Sequence, residues 1–136
     1  MGIELYWDND DRTVMLCEIA GSWTWDDMYQ TLEKIKKVTD AADYEIGAIL
    51  DVSGGISVPG GTIFTPTALE HAKRMLKMGE GGTGPVVIVG ANPMIRTIYQ
   101  TFYNLDRKAL GNVRFADTVD EARAILAQRQ PARIGA

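Results

Sequence analysis

The apolar positions of this chain fall into short runs and helical stripes that alternate along its length. "IELYW" (Ile3–Trp7) predicts a short strand, and "TVMLCEIAG" (residues 13–21) a second, more buried one. Asp8, Asn9, Asp10 and Asp11 between them predict a turn, and so short a connection makes the two strands antiparallel. In "GSWTWDDMYQ" (residues 21–30), Thr24 with Asp27 three residues on approximates a capping box, Asp standing in for Glu or Gln. Trp25, Met28, Leu32, Ile35 and Val38 then share one helical face. Trp23 before the cap and Met28 after it have the spacing of a hydrophobic staple. The two tryptophans also admit a second reading, an aromatic wall beside a pocket.

Residues 45–53, "EIGAILDVS", are apolar on both faces until Asp51, and residues 85–90, "PVVIVG", are rich in β-branched side chains. Such runs predict central parallel strands covered on both sides. Between them a helix is predicted over 67–78, with Thr67 and Glu70 as its capping box and Ala68, Leu69, Ala72, Met75 and Leu76 inward. Asn92 caps a helix over 92–110 with Pro93 at its first position, and Ile95, Ile98, Tyr99, Phe102 and Leu105 form its stripe. "NVRFA" (112–116) is the last strand. Thr118 and Glu121 open a last helix with Val119, Ala122, Ile125 and Leu126 inward. Residues 128–136 are expected to fray. The order ββαβαβαβα predicts an α/β layer fold with right-handed crossovers. With no linker or repeat, a single domain is expected across residues 1–136.

Composition narrows the function classes. Across 136 residues the net charge is −4, which leaves no basic excess to neutralise phosphates, so no nucleic-acid partner is expected. No apolar run reaches membrane-spanning length and no integral membrane contact is expected. The acidic beginning of the chain lacks a secretory pattern. The single cysteine, Cys17, suits a reducing compartment, and a cytoplasmic location is expected.

The order of elements, with "GSWTWDDMY", "AILDVSG", "VVIVGANPMIR" and "FADTVDEARAIL", resembles a STAS-type domain, most nearly its SpoIIAA-like (STAS/SEC14-like) branch. The resemblance spans about residues 3–127. It implies a mixed, mostly parallel sheet of four or five strands flanked by helices, and a regulatory binding module. In the anti-sigma antagonists of that family, a serine at the start of the helix after the Asp51-type strand is phosphorylated, in a motif resembling Asp-Ser-Ser-Gly. Here the matching segment is Ser57-Val58-Pro59-Gly60, and the phosphorylated position falls on Val58 or Pro59, which carry no hydroxyl. The phosphoserine switch is therefore not transferred.

The long connection over residues 53–66 leaves the carboxyl end of a central strand, where open α/β sheets bind ligands. Ser53, Gly54, Ser57, Pro59, Gly60 and Phe64 are its candidate binding residues. It lacks the Gly-Lys-Ser/Thr of a phosphate loop and the GxGxxG of a dinucleotide site. Asp51 either binds a ligand or accepts hydrogen bonds from loop amides and fixes the turn. Asn92 and Arg96 mark a helix N-terminus at a strand end, a generic weak anion site or an ordinary cap. Tyr103, with Met94, either marks a docking surface or lines a small apolar cavity, or else the helix that carries it and Tyr99 is simply well buried. "GEGGTGP" (79–85) precedes a strand, the wrong order for a phosphate cradle. No catalytic set, metal site or cofactor is expected: His71 is the sole histidine, without an evident nucleophile, and Cys17 lies mid-strand.

Three functions follow. The first is a non-enzymatic STAS-like module binding a protein partner or itself through the 53–66 loop and the start of the next helix. The second is a carrier or sensor of a small apolar or lipid-like ligand, held between that loop and the 92–110 helix. The third and weakest is a hydrolase using Ser53 or Ser57 with His71 and Asp51.

Overall fold

In the computed structural model, residues 2–57, 65–78, 84–105, 107 and 112–128 are described. The strands are β1 (Ile3–Trp7), β2 (Val14–Ile19), β3 (Gly21–Ser22), β4 (Gly47–Asp51), β5 (Ile56–Ser57), β6 (Val86–Val89) and β7 (Val113–Ala116). The helices are α1 (Trp25–Ala41), α2 (Pro66–Met78), α3 (Pro93–Leu105) and α4 (Val119–Ala127). Five strands form one sheet in the order β1-β2-β4-β6-β7, and β3 with β5 forms a two-residue parallel pair beside it. β1 is antiparallel to β2 and every other neighbour in the large sheet is parallel, the mixed, mostly parallel sheet expected.

Register sorts the side chains onto two faces. Leu5, Cys17, Leu50, Ile88 and Phe115 line up across the five strands, in one core with Trp23, Met28 and Val52. Trp25 and Leu32 of α1, Met75 of α2 and Ile95 of α3 pack on that core. On the opposite face Ile49, Val87 and Val89 meet Ala122 and Leu126 of α4. β4 and β6 are covered on both sides, which is why their sequences carry apolar residues on both faces, in β4 until Asp51 at its end. Ile49, Val87 and Val89 are the largest fully buried side chains, each contributing about 1.5–3 kcal/mol of burial free energy.

Local signals agree with the helix starts, with one shift. Thr24 Oγ1 accepts from Asp27 N–H (3.1 Å) and Asp27 Oδ2 accepts from Thr24 N–H (3.0 Å), a reciprocal box. Asn92 Oδ1 accepts from Ile95 N–H at 2.9 Å. Thr118 Oγ1 accepts from Glu121 N–H, while the Glu121 carboxylate accepts from Asp117 N–H rather than from the cap's own amide. α2 begins earlier than the expected Thr67 and Glu70 box: Thr65 Oγ1 accepts from Ala68 N–H at 3.1 Å, and Pro66 takes the first helical position. A proline there lacks only an N–H that the helix cannot use, and its fixed φ suits the first turn.

Candidate functional site

The carboxyl end of β4 is held by one side chain. Asp51 Oδ1 accepts both the N–H (2.9 Å) and the hydroxyl (2.6 Å) of Ser53, the turn-fixing arrangement that aspartate favours. Gly55 follows at φ +87°, and its N–H donates to Val52 O at 3.1 Å. Ser53, Gly54 and Gly55 are exposed. The chain then enters β5, where Ile56 pairs with Gly21 and Ser57 with Ser22, tying the connection to the segment just before α1.

The turn after β6 meets the same place. Gly90 has φ +77°, and a Cβ there would lie 2.5 Å from Ser53 Cβ, so only glycine lets the two turns approach this closely. Ser53 and Asp51 are thus brought beside the segment that leads into Asn92. Asn92 and Arg96 are exposed at the start of α3. The Arg96 guanidinium lies over the Phe115 ring, 4.5 Å from its centroid. Tyr99 packs edge-on against Phe115 at 5.1 Å and lies 5.9 Å from Tyr103, both centroid distances. Burial, and then Tyr103, raise the Tyr99 phenol above its ordinary range. These three rings and one cation form a set of their own along α3 and β7. Pro59, Gly60 and Phe64 lie outside the described residues.

Trp23 and Trp25 are both part of the core. Trp23 is 7% exposed and its ring meets that of Trp25 edge-on at 5.2 Å; its indole N–H finds no hydrogen-bond partner among the described residues. Trp25 is half-buried and stacks on His71, centroids 4.7 Å apart and planes 14° from parallel. His71 Nδ1 is hydrogen-bonded to the Tyr29 hydroxyl, and Arg74 lies over the Tyr29 ring. His71 is therefore engaged by α1. Among the described residues no hydrogen bond joins it to Asp51 or Ser53. Tyr29 was absent from the stripe read in the sequence, yet it is buried; its spacing of four from Trp25 was the available signal.

A cleft of about 370 Å³ opens at the other end of the sheet, unforeseen in the sequence. Asp8, Thr13, Glu45, Pro85, Arg123 and Leu126 are among its walls, and neither residues 53–57 nor α3 contribute. Asp8, only 7% exposed in its side chain, receives Nε and the terminal nitrogen of Arg123 at 3.0 and 2.8 Å. Those bonds, and the charge of Asp8, raise the Arg123 guanidinium further above its ordinary value. Glu45 is buried beside them. The four residues 8, 13, 45 and 123 are too far apart in sequence for any motif to have joined them.

Among the described residues no group of three or more His, Cys, Asp or Glu side chains could hold a metal ion, and no helix is long and apolar enough to cross a membrane. No family model matches the sequence. No curated protein matches it either. Among solved structures, the chain is similar to the crystal structure of a candidate anti-sigma factor antagonist from Thermotoga maritima. The identity is 16%, the match covers 92% of this chain and 94% of that one, and the TM-score is 0.56. At this identity the likeness is one of fold, and the fold is the STAS type that the sequence motifs implied.

Proposed function

We propose that this chain is a non-enzymatic regulatory module of STAS type that binds a protein partner at the carboxyl end of its sheet. The observation that supports this most is the fold it shares, nearly end to end, with a candidate anti-sigma factor antagonist, a name that denotes action on another protein. The contact surface is built from the exposed Ser53-Gly54-Gly55 turn, with Asp51 beneath it and Asn92 and Arg96 alongside. Ser57, Pro59, Gly60 and Phe64 continue the same connection in sequence, and Tyr99 and Tyr103 lie further along α3, with Phe115. The two hydrogen bonds from Ser53 to Asp51 hold the turn before a partner arrives, which lowers the ordering cost of association. Because Val58 and Pro59 stand where the family's serine is phosphorylated, control by that phosphoserine is no part of the proposal.

The test is comparative capture. The tagged chain and its Ser53→Arg and Arg96→Glu variants are used side by side on an extract of the host, after circular dichroism shows that all three are folded. The expected result is one protein partner retained by the parent chain and lost from at least one variant. Equal retention by all three removes the proposed surface. A small-molecule adduct in native mass spectrometry, with no protein partner, would replace this reading with the carrier.

A further inference from the structure

β1 is an edge of the large sheet, and among the described residues no further strand pairs with it. Its ladder to β2 fixes which backbone groups are left over. Ala20 N–H donates to Gly2 O and Asp8 N–H to Val14 O, both at 2.8 Å, and the register runs unbroken between those points. Bonded pairs in an antiparallel ladder alternate, so Glu4 and Tyr6 also bond inward. The N–H and C=O groups of Ile3, Leu5 and Trp7 therefore point away from the sheet. Natural edges are commonly blunted by lysine, proline or a bulge, and β1 has none of these. The opposite edge, β7, is shorter, carries an exposed Arg114, and has Arg96 drawn over Phe115.

We propose that β1 pairs antiparallel with β1 of a second copy of this chain, about a two-fold axis through Leu5. In that register all three outward N–H groups and all three outward C=O groups of each strand find partners. Leu5 faces the partner's Leu5, Ile3 faces the partner's Trp7, and Glu4 faces the partner's Tyr6. Side-chain complementarity selects this register over its neighbours. Centring on Glu4 would set that carboxylate against itself, and centring on Tyr6 would set Glu4 against Asp8; like charges directly opposite are destabilising. Among the described residues Tyr6, at 42%, is the exposed large hydrophobic side chain, and its hydroxyl already donates to Glu4 in its own strand. The pairing gives this ring a neighbour across the axis. α1 packs on β1, so the α1 helices of both copies lie on the same side of the joined sheet. A five-residue strand is a small interface, and the dimer is accordingly concentration-dependent.

This inference rests on the edge geometry and not on the partner-binding reading, and either stands if the other fails. Sedimentation velocity over a dilution series of the full chain gives the oligomeric state. Amide hydrogen exchange by NMR gives the site. The expected result is a dimer whose Ile3, Leu5 and Trp7 amides are protected and lose protection on dilution, while those of Glu4 and Tyr6 stay protected throughout. Tyr6→Glu, at an exposed position, places like charges across the axis and is expected to weaken the dimer at least tenfold with the fold intact. Glu4→Lys combined with Tyr6→Glu places opposite charges there and restores it. A monomer at every concentration overturns the proposal. So does a dimer in which the Ile3, Leu5 and Trp7 amides exchange freely, or one that Tyr6→Glu leaves unchanged.

Discussion

The imidazole of His71 lies face to face with the indole of Trp25, 4.7 Å between centroids, and its Nδ1 is hydrogen-bonded to the Tyr29 hydroxyl. Two residues of α1 thus grip one residue of α2, and the pair fixes how the helices sit above the sheet. Truncating His71 to Ala removes a ring contact and a hydrogen bond, a loss of about 1–3 kcal/mol. Tyr29→Phe removes only the hydrogen bond and is expected to cost about 1 kcal/mol. Urea unfolding of both variants checks the order. A His71→Ala protein as stable as the parent would mean that the stack holds nothing together.

The box at the start of α1 makes a sharper prediction. Thr24→Ala loses the bond to Asp27 N–H and is expected to cost about 1 kcal/mol, whereas Thr24→Ser keeps the oxygen and is close to neutral. Asp27→Ala loses the return bond and a favourable charge at the positive helix end, again about 1 kcal/mol. The urea midpoints of the three variants decide it.

Gly90 and Gly55 both have positive φ, but their surroundings differ. Gly55→Ala meets open space and is expected to cost only the backbone strain, about 1–2 kcal/mol. Gly90→Ala adds a collision with Ser53, 2.5 Å from its side chain and 2.6 Å from its Cα, and is expected to cost about 3 kcal/mol or more. Thermal unfolding should rank Gly90→Ala well below Gly55→Ala. The reverse order would show that the two turns can separate freely.

Burial, helped by the nearby Glu18 charge, pushes the Cys17 thiol up to about 11. The folded chain therefore holds this proton more tightly than the unfolded chain does. Its contribution to stability is complete below the ordinary thiol range and is lost as pH rises through about 11. Urea midpoints should fall over that interval, and less steeply in Cys17→Ala. A thiol-labelling reagent should react slowly with the native chain and rapidly in denaturant.

Much of this architecture was legible because its signals are local. Ile3–Trp7 occupies the residues its pattern indicated, and Thr24, Asn92 and Thr118 cap the helices they were expected to cap. The parallel centre of the sheet followed from apolar runs at residues 45–53 and 85–90. What was missed depends on distance in the chain. β3 and β5 are two residues each and have no periodicity to read. The His71 stack needs α1 and α2 already in place. At the candidate site, the Asp51 turn was readable from its own neighbours, but the approach of Gly90 to Ser53 was not, since it comes from the pairing of β4 with β6.

The pairing of Gly21–Ser22 with Ile56–Ser57 changes the polymer physics of the connection between β4 and α2. Residues 52–65 would otherwise form one span between two fixed ends. Pinned at Ser57, the connection gains a third fixed point, on the segment that leads into α1. The same pin couples the connection mechanically to the lead-in of α1. A substitution at Ser22 that disturbs the pairing would release Ile56–Ser57, more than thirty residues away, with no contact of its own to any partner.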